Sequence, residues 1–433
     1  LAGHHFNCGL HHFGGSRFDT LVYFGFAIGR KHIMDGQPVT ILCLASYYKG
    51  ATFLSAAKRQ GCRVILVTRE KMRDEPWPHG DIDEIFYMPL LSTEPDILYA
   101  IGYLMRSRQI DRIVPLDDYD VPTAATLREH FRLAGMGQTT TRYFRDKLAM
   151  RLKAQEVGLR VPAFTAVFNH TRLHEWMSRT PPPWVLKPRQ EAGAMGIKRV
   201  QSADDVWYWL NQLGDQQSYF LLEQFVPGEV YHVDSIVWQG EVLFALAHQY
   251  GRPPIHVAHD GGVFITRTMD RHSADAQALI AFNRALLTSF GMTHGVSHTE
   301  FIRGADGEFY FLETAARVGG ANIEQLVEAA SGVNLWAEWA KLEAALARNA
   351  NYAPPSDQER YAGVLICLAR QEWPNLSAYN APEVIYRLDK KQHAGLIVAS
   401  DNRERVEQLV QEYGARFVAD FLAVAPPLDT APT

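Results

Sequence analysis

V-S-H-T-E-F-I-R-G-A-D-G-E-F-Y-F-L-E-T-A-A-R-V-G-G, residues 296–320, predicts two short strands, 297–302 and 309–312, joined by a turn at 304–307. Asp306-Gly307 supplies the turn chemistry, so the strands are expected to be adjacent and antiparallel. Glu300 falls toward the end of the first strand and Glu313 closes the second; the flanking residues Phe301, Ile302, Phe309, Phe311 and Leu312 are apolar. Two like charges brought together in such surroundings repel unless a cation lies between them. Paired carboxylates are also the oxygen ligands that Mg²⁺ takes beside bound phosphates. Spacing alone leaves two readings level, a metal-binding pair or two solvated strand-end acids. His298 stands two residues before Glu300 and so faces the same side of the strand. It is either a substrate contact or a partner that supports Glu300 from behind, or a buried structural histidine.

The chain upstream divides by rhythm. Runs 39–45 (V-T-I-L-C-L-A), 63–67, 85–88 and 112–115 read as strands, with helices at 51–60 and 95–107 between them. That alternation predicts a doubly wound parallel sheet. Asp117, Asp118 and Asp120 end its last strand, where open α/β sheets bind ligands; they either bind a substrate amine or cap the next helix. Helices at 124–133 and 143–156 follow. Strands at 163–168, 184–187, 198–200 and 218–225, with a helix at 203–213, open an α+β region. It continues through 230–238, 241–248, 262–267 and a long helix at 274–290. Pro354, Pro355 and Ser356 mark a boundary before a last mixed segment with strands at 361–368 and 394–398 and a helix at 402–413.

Three further features carry chemistry. Lys187 ends the apolar strand W-V-L-K-P and precedes E-A-G-A-M-G, whose Gly193 and Gly196 let backbone N–H groups approach an anion. Lys147 lies early in a helix, in F-R-D-K-L-A-M-R. In F-L-L-E-Q-F-V-P-G-E an apolar strand runs through Glu223 and Gln224 to Val226 and on to Glu229, a linker whose backbone could bind a planar base. Each feature alone also has a plain structural reading: a solvated helix lysine, a hairpin turn, a strand followed by a turn. The segment 254–267 (P-I-H-V-A-H-D-G-G-V-F-I-T-R) gathers His256, His259, Asp260 and Arg267. It reads as a substrate-facing loop, with Arg267 gripping a carboxylate, or equally as a surface hairpin.

Taken in order, Lys147, then K-P with its glycine loop, then L-E-x-F-V-x-G-E, E-F and E-x-x-x-R-x-G-G, the chain resembles the ATP-grasp superfamily over roughly residues 40–350. The resemblance implies an α/β and α+β chain. An N-terminal segment, 1–35, would precede a doubly wound parallel-sheet pre-ATP-grasp domain, 36–122. The ATP-grasp domain would span 123–350 with a small lid at about 160–226, and a C-terminal α+β subdomain 351–433. It implies that Lys147 and Lys187 contact ATP phosphates, that residues 191–197 with Gly193 and Gly196 form a mobile flap, and that Glu223 and the backbone of Gln224 and Val226 hold adenine. Glu229 would bind ribose, Glu300 and Glu313 would ligate Mg²⁺ (with Mn²⁺ as an alternative), and Arg317 would stabilise an acyl phosphate. Many members carry asparagine where this chain has Ala315, which puts the number of metals in doubt. The A-A-R-V-G-G form resembles amino-acid ligases more than biotin carboxylases.

The implied activity is ATP-dependent carboxylate–amine ligation through an acyl phosphate, acting on amino acids. A bicarbonate-activating enzyme of the biotin carboxylase or carbamoyl-phosphate type, and a non-catalytic ATP-binding homologue, are the alternatives. The implied partners are small-molecule carboxylates and amines, and a homodimer is compatible.

Composition sets the outer limits. The 433 residues carry 43 Lys+Arg against 48 Asp+Glu, a net charge of −5, with 47 % apolar residues. That is globular composition, without a broad nucleic-acid footprint. No apolar run approaches membrane-span length. Four scattered cysteines, Cys8, Cys43, Cys62 and Cys367, suit reduced thiols in a cytoplasmic protein rather than a disulfide scaffold. Residues 1–15 are polar, unlike a signal peptide, and contain His4, His5, His11 and His12, read as irregular chain more readily than as a metal cluster. The Pro/Thr-rich tail 425–433 is expected to fray.

Overall fold

The computed structural model describes residues 38–426, so the expectations for the histidine-bearing N-terminal segment and for most of the tail lie outside the described residues. The first region is a four-stranded sheet of β1 (Thr40–Ala45), β2 (Arg63–Arg69), β3 (Glu84–Met88) and β4 (Arg112–Pro115), interleaved with α1 (Ala51–Arg59) and α2 (Asp96–Met105) and followed by α3 (Val121–His130). All pairings are parallel, in the order β3-β2-β1-β4. Every residue of β1 and β4 is buried, because helices cover both faces, and this is why these strands read as continuous apolar runs. The chain turns into α1 at Gly50, in left-handed conformation (φ 75°), where a Cβ would lie 2.8 Å from Leu116. Strand order reverses between β1 and β4, so the loops after these two strands open a crevice at their carboxyl ends.

Next come α4 (Gln138–Arg142) and α5 (Lys147–Glu156). A single helix over 143–156 was the expectation. The structure starts α5 later because the Asp146 side chain accepts from the N–H groups of Leu148 and Ala149, at 3.0 and 3.3 Å, which makes it an N-cap. A small antiparallel sheet follows: β5 (Phe164–Ala166), α6 (His170–Arg179), β6 (Trp184–Pro188), β7 (Lys198–Val200), α7 (Ala203–Leu213) and β8 (Phe220–Gln224), with strand order β5-β8-β6-β7. Leu173, Met177, Val206 and Leu210 of its helices pack on Trp184, Leu186 and Leu222. The link from β6 to β7 contains three consecutive-region left-handed residues, Gly193, Ala194 and Gly196.

The largest element is an eight-stranded antiparallel sheet. It contains β9 (Glu229–Trp238), β10 (Glu241–Tyr250), α8 (Pro254–Asp260), β11 (Phe264–Thr268), α9 (Ala274–Ser289), β12 (Gly295–Arg303) and β13 (Phe309–Ala315). The chain continues through α10 (Ile323–Ser331), α11 (Leu335–Arg348), β14 (Tyr361–Leu368), β15 (Val384–Arg387), β16 (His393–Ser400) and α12 (Arg403–Asp420). Strand order is β13-β12-β9-β10-β11-β14-β16-β15. The segment after residue 352 therefore continues the central sheet, through pairing of β14 with β11. In the segment 254–267 the strand expected at 262–267 is present as β11, but α8 stands before it where a loop or hairpin was the expectation; Pro254 begins the helix, where its missing N–H costs nothing. Strand alternation divides the sheet's two faces. Odd-numbered Tyr231, Val233 and Val237 of β9 meet α9 residues such as Leu279 and Leu286. Even-numbered Ile236 of β9, Leu246 of β10 and Val296 of β12 meet α10 and α11 residues such as Leu326 and Trp339. Further along those same strands the even face turns polar, and the candidate site begins there.

Candidate functional site

Glu300 of β12 pairs directly opposite Glu313 of β13, with a register shift after Glu300. Directly opposed residues share a face, so the two carboxylates project together. Glu300 Oε1 accepts from the Tyr250 hydroxyl at 2.7 Å. Glu313 Oε2 is 2.8 Å from Lys147 Nζ, and its side chain is 34 % exposed. Burial would raise the Glu313 carboxyl, but Lys147 beside it holds it below the usual range. Ala315 sits opposite His298 in the same strand pair, so that position offers no ligand atom. The donors available are oxygens alone, which suits a hard cation such as Mg²⁺.

Lys147 is presented by the first turn of α5, and its Nζ also donates to the Glu191 carbonyl at 2.6 Å. Asp146 fixes that turn from the other side by accepting from the Arg189 guanidinium. Lys187 of β6 is buried and donates to Glu223 Oε1 at 2.8 Å, while Arg151 Nε donates to Glu223 Oε2 at 2.6 Å. Arg151 lies one turn after Lys147 on the same face of α5. Its Nη1 and Nη2 are buried without a hydrogen-bond partner, and its guanidinium lies over Phe311, 5.5 Å from the ring centroid. Burial, partly offset by Glu223, pushes Lys187 down to about 8. Burial would raise Glu223, but Arg151 and Lys187 outweigh it and hold the carboxyl low. The Glu223 side chain is thus committed to an internal ion-pair triad. The Gln224 N–H is also committed, to the Ala163 carbonyl at 2.7 Å, so the linker's backbone is not free at that point as the sequence suggested. Val226 lies two residues beyond the end of β8, and Glu229 is exposed and accepts from the Tyr231 hydroxyl at 2.7 Å.

The crevice of the parallel sheet meets this region. Lys49 Nζ is 2.6 Å from Asp117 Oδ2, and Asp120 accepts from the Ser46 N–H and hydroxyl at 2.7 and 2.6 Å. Asp117 also accepts from the Tyr119 N–H, capping the single 3-10 turn at 118–120, whereas Asp120, at the N-cap position of α3, makes no side-chain capping bond. Asp118 takes neither expected role: its Oδ2 is 2.5 Å from Arg317 Nη2. Burial would raise Asp118, but Arg317 and Arg145 hold it well below the usual carboxylate range. Arg317 Nη1 donates to the Val318 carbonyl, while Nε is buried without a partner. The Tyr119 hydroxyl donates to Glu191 Oε2 at 2.9 Å, which ties the β6–β7 link to the same crevice. Behind Glu300, His298 Nδ1 is 2.9 Å from Asp234 Oδ1, and its Nε2 is 3.6 Å from Glu300 Oε1.

The other predicted contacts stand apart. Arg267 Nε donates to Glu407 of α12 at 2.7 Å and its Nη2 to the Gln249 side chain at 3.1 Å, so it ties α12 to the sheet rather than offering a free fork. His256 lies 3.5 Å from Asp260 one turn on in α8, and His259 is partly buried on the same helix. Sequence reading missed Arg151, Asp234, His232, Tyr250 and the Asp118–Arg317 tie.

No protein-family model matches the chain. Over 270 residues it is 27 % identical to the L-arginine-specific L-amino acid ligase of Bacillus subtilis; the alignment covers 58 % of this chain, which spans 65 % of that relative's length. The crystal structure of L-amino acid ligase from Bacillus licheniformis is similar at a TM-score of 0.70 and 17 % identity, covering 89 % of this chain and 98 % of that one. That of N5-carboxyaminoimidazole synthetase from Staphylococcus aureus, complexed with ADP, gives a TM-score of 0.66 at 15 % identity, covering 88 % and 97 %. At these identities the structural likeness is one of fold. Among the described residues no helix is long and apolar enough to cross a membrane.

Proposed function

We propose that this chain, whose fold is that of the ATP-grasp superfamily, is an ATP-dependent ligase joining a carboxylate to an amine, with amino acids as substrates. The observation that carries the reading is the grouping of two opposed carboxylates, Glu300 and Glu313, with Lys147 against one of them and with Lys187 and Asp118, the partner of Arg317, also acting on Glu313. The relatedness to an L-amino acid ligase supports amino acids as the substrate class.

In this reading a substrate carboxylate oxygen attacks the γ-phosphorus of ATP. The bond to the bridging oxygen breaks, giving ADP and an acyl phosphate. The amine nitrogen then attacks the acyl carbon, the bond to the phosphate oxygen breaks, and the nitrogen loses a proton, leaving amide and phosphate. Lys147 and Lys187 neutralise phosphate oxygens, and Arg317 holds the oxygens of the acyl phosphate. Glu300 and Glu313 would hold Mg²⁺, which supplies charge neutralisation on the phosphates; with Ala315 contributing nothing, water would complete its shell. The 191–197 link covers the site and keeps water from the acyl phosphate.

The deciding experiment is an ADP-release screen of amino-acid pairs with mass spectrometry of the products. ADP should form only with a carboxylate substrate, rise with an amine, and accompany an amide of the summed mass less water. ADP formation with bicarbonate and biotin, and with no amino-acid pair, would replace this reading by bicarbonate activation. ATP binding without ADP from any pair would point to a non-catalytic nucleotide binder.

Two further results are expected. Lys187, pushed down to about 8, loses its charge as pH rises through that value in the free enzyme, so kcat/KM for ATP should fall above about pH 8. A profile flat to pH 10 would detach Lys187 from ATP binding. Asp118→Asn removes the charge that orients Arg317. Loss of a charge-assisted hydrogen bond costs about 1.5–3 kcal/mol, so kcat should fall by roughly ten- to a hundredfold with KM for ATP little changed. An equal rise in KM alone would assign Asp118 to nucleotide binding instead.

A further inference from the structure

On the polar stretch of the sheet's even face, four side chains from three adjacent strands converge: His232 and Asp234 of β9, His248 of β10 and His298 of β12. None is more than 8 % exposed. One donor atom from each of His232, Asp234 and His298 lies within 4.8 Å of the others. Asp234 sits between two imidazoles, with Oδ2 2.7 Å from His232 Nδ1 and Oδ1 2.9 Å from His298 Nδ1. The outer nitrogen of His232 is held by the Thr266 hydroxyl at 2.8 Å, the kind of contact that turns a metal-ligating ring and fixes its tautomer. His248 stacks on His232 with ring centroids 4.7 Å apart, and its Nε2 is 4.0 Å from Asp234 Oδ2. Both ring nitrogens of His248 are buried without a hydrogen-bond partner. Packing alone does not satisfy such a ring, since a buried unpaired polar atom is costly.

We propose that His232, Asp234 and His298, with His248 as a fourth ligand, bind one divalent transition-metal ion of the zinc class at a site separate from the Glu300–Glu313 pair. The donor set selects the ion: imidazole nitrogen with one carboxylate suits zinc and its neighbours, whereas Mg²⁺ takes oxygen. The spacing is close to what ligation needs. With metal bonds of about 2.0–2.1 Å, ligand atoms at a right angle are about 2.9 Å apart and at a tetrahedral angle about 3.3 Å. The present nitrogen–oxygen distances, 2.7 Å to Oδ2 and 2.9 Å to Oδ1 of Asp234, match the right-angle spacing and fall about half an ångström short of the tetrahedral one, so the side chains would shift by that much on binding. The protons now lying between each imidazole and the carboxylate are the ones an ion displaces. The site abuts Glu300 through His298 Nε2, 3.6 Å away, so the ion would stiffen the wall beside that carboxylate. Nothing in the proposal depends on the ligase reading.

The test uses the full chain, stripped with EDTA, loaded with Zn²⁺ and desalted into excess Mg²⁺, with retained zinc measured by elemental mass spectrometry. Wild type is expected to retain one equivalent more than Asp234→Asn, while Glu313→Gln retains as much as wild type. Residues 4–12, with their histidines, are common to all three proteins and cancel in the difference. Co²⁺ in place of Zn²⁺ should give a visible absorption band that His248→Gln, a milder change, shifts. If Asp234→Asn does not fold, that band and its response to His248→Gln decide alone. Equal zinc in wild type and Asp234→Asn, loss of zinc in Glu313→Gln, or no Co²⁺ band in wild type under excess Mg²⁺ would each overturn the proposal and leave a purely hydrogen-bonded His–Asp–His array.

Discussion

Glu313→Gln is expected to lower ADP formation by about a thousandfold while leaving the protein folded. Glutamine keeps the shape of glutamate and still offers a carbonyl oxygen to Lys147, which now lies 2.8 Å from Glu313 Oε2. What it removes is one of two opposed negative charges. Charge stabilisation by a bound ion at phosphate oxygens is worth several kcal/mol, and about 1.4 kcal/mol is a factor of ten in rate, so weakening the ion's hold on one side costs about three powers of ten. Far-ultraviolet circular dichroism and the melting midpoint should match wild type within a few degrees, because the side chain is one-third exposed, at 34 %, and anchors no hydrophobic cluster. The discriminating measurement is single-turnover ADP release at saturating Mg²⁺ and ATP. A rate within tenfold of wild type would remove Glu313 from the phosphate chemistry, and with it the reading of residues 296–320 that organises the site.

That stretch was legible because its information is local. Two apolar strands and a turn dipeptide determine adjacent antiparallel strands before any long-range contact is known, whereas the direct opposition of Glu300 and Glu313 depends on the register shift after Glu300, without which Leu312 would face it. The parallel sheet was legible for a related reason: strands covered on both faces read as unbroken apolar runs, and Thr40–Ala45 is buried at every position. Contacts between distant residues were not legible. Asp118 and Arg317 are 199 positions apart, Arg151 and Glu223 are 72, and Asp234 and His298 are 64. A single sequence contains no rule for which acid meets which cation. Some signal existed for the buried array, since Tyr-His-Val-Asp-Ser at 231–235 puts two polar residues on one face of a strand whose later residues on that face are apolar. Alternation thus marks a polar patch on that strand, which the sequence reading passed over, but it does not identify the partners on β10 and β12. The helix that opens 254–267 was not legible for a different reason: α8 is only Pro254–Asp260, too short to show a clear periodicity, although proline at the first helical position can start a helix. Glu407, the partner of Arg267, lies on α12, 140 positions away.

Glu223→Leu is expected to destabilise the protein by about 3–5 kcal/mol, the usual cost of removing one partner from a buried ion pair. The side chain is 5 % exposed and bridges Lys187 and Arg151, themselves 8 % and 0 % exposed. Leucine is of similar volume and leaves no large cavity, so the loss would be almost wholly electrostatic: two cations left in a low-dielectric interior without the carboxylate that bridges them. The arginine cannot escape by deprotonation, whereas Lys187, already pushed down to about 8 with Glu223 present, can. The variant should therefore regain stability with rising pH, as the folded lysine sheds its proton well before the unfolded one does and the unfolded chain holds the excess proton. Denaturant midpoints at neutral and alkaline pH would show this, with a wider gap from wild type at the lower pH. A double change, Glu223→Leu with Arg151→Met, should recover part of the loss at all pH values, because it removes the stranded charge that pH cannot. A stability for Glu223→Leu within about 1 kcal/mol of wild type would mean that solvent reaches this triad, and that Lys187 is held in place by something other than its carboxylate.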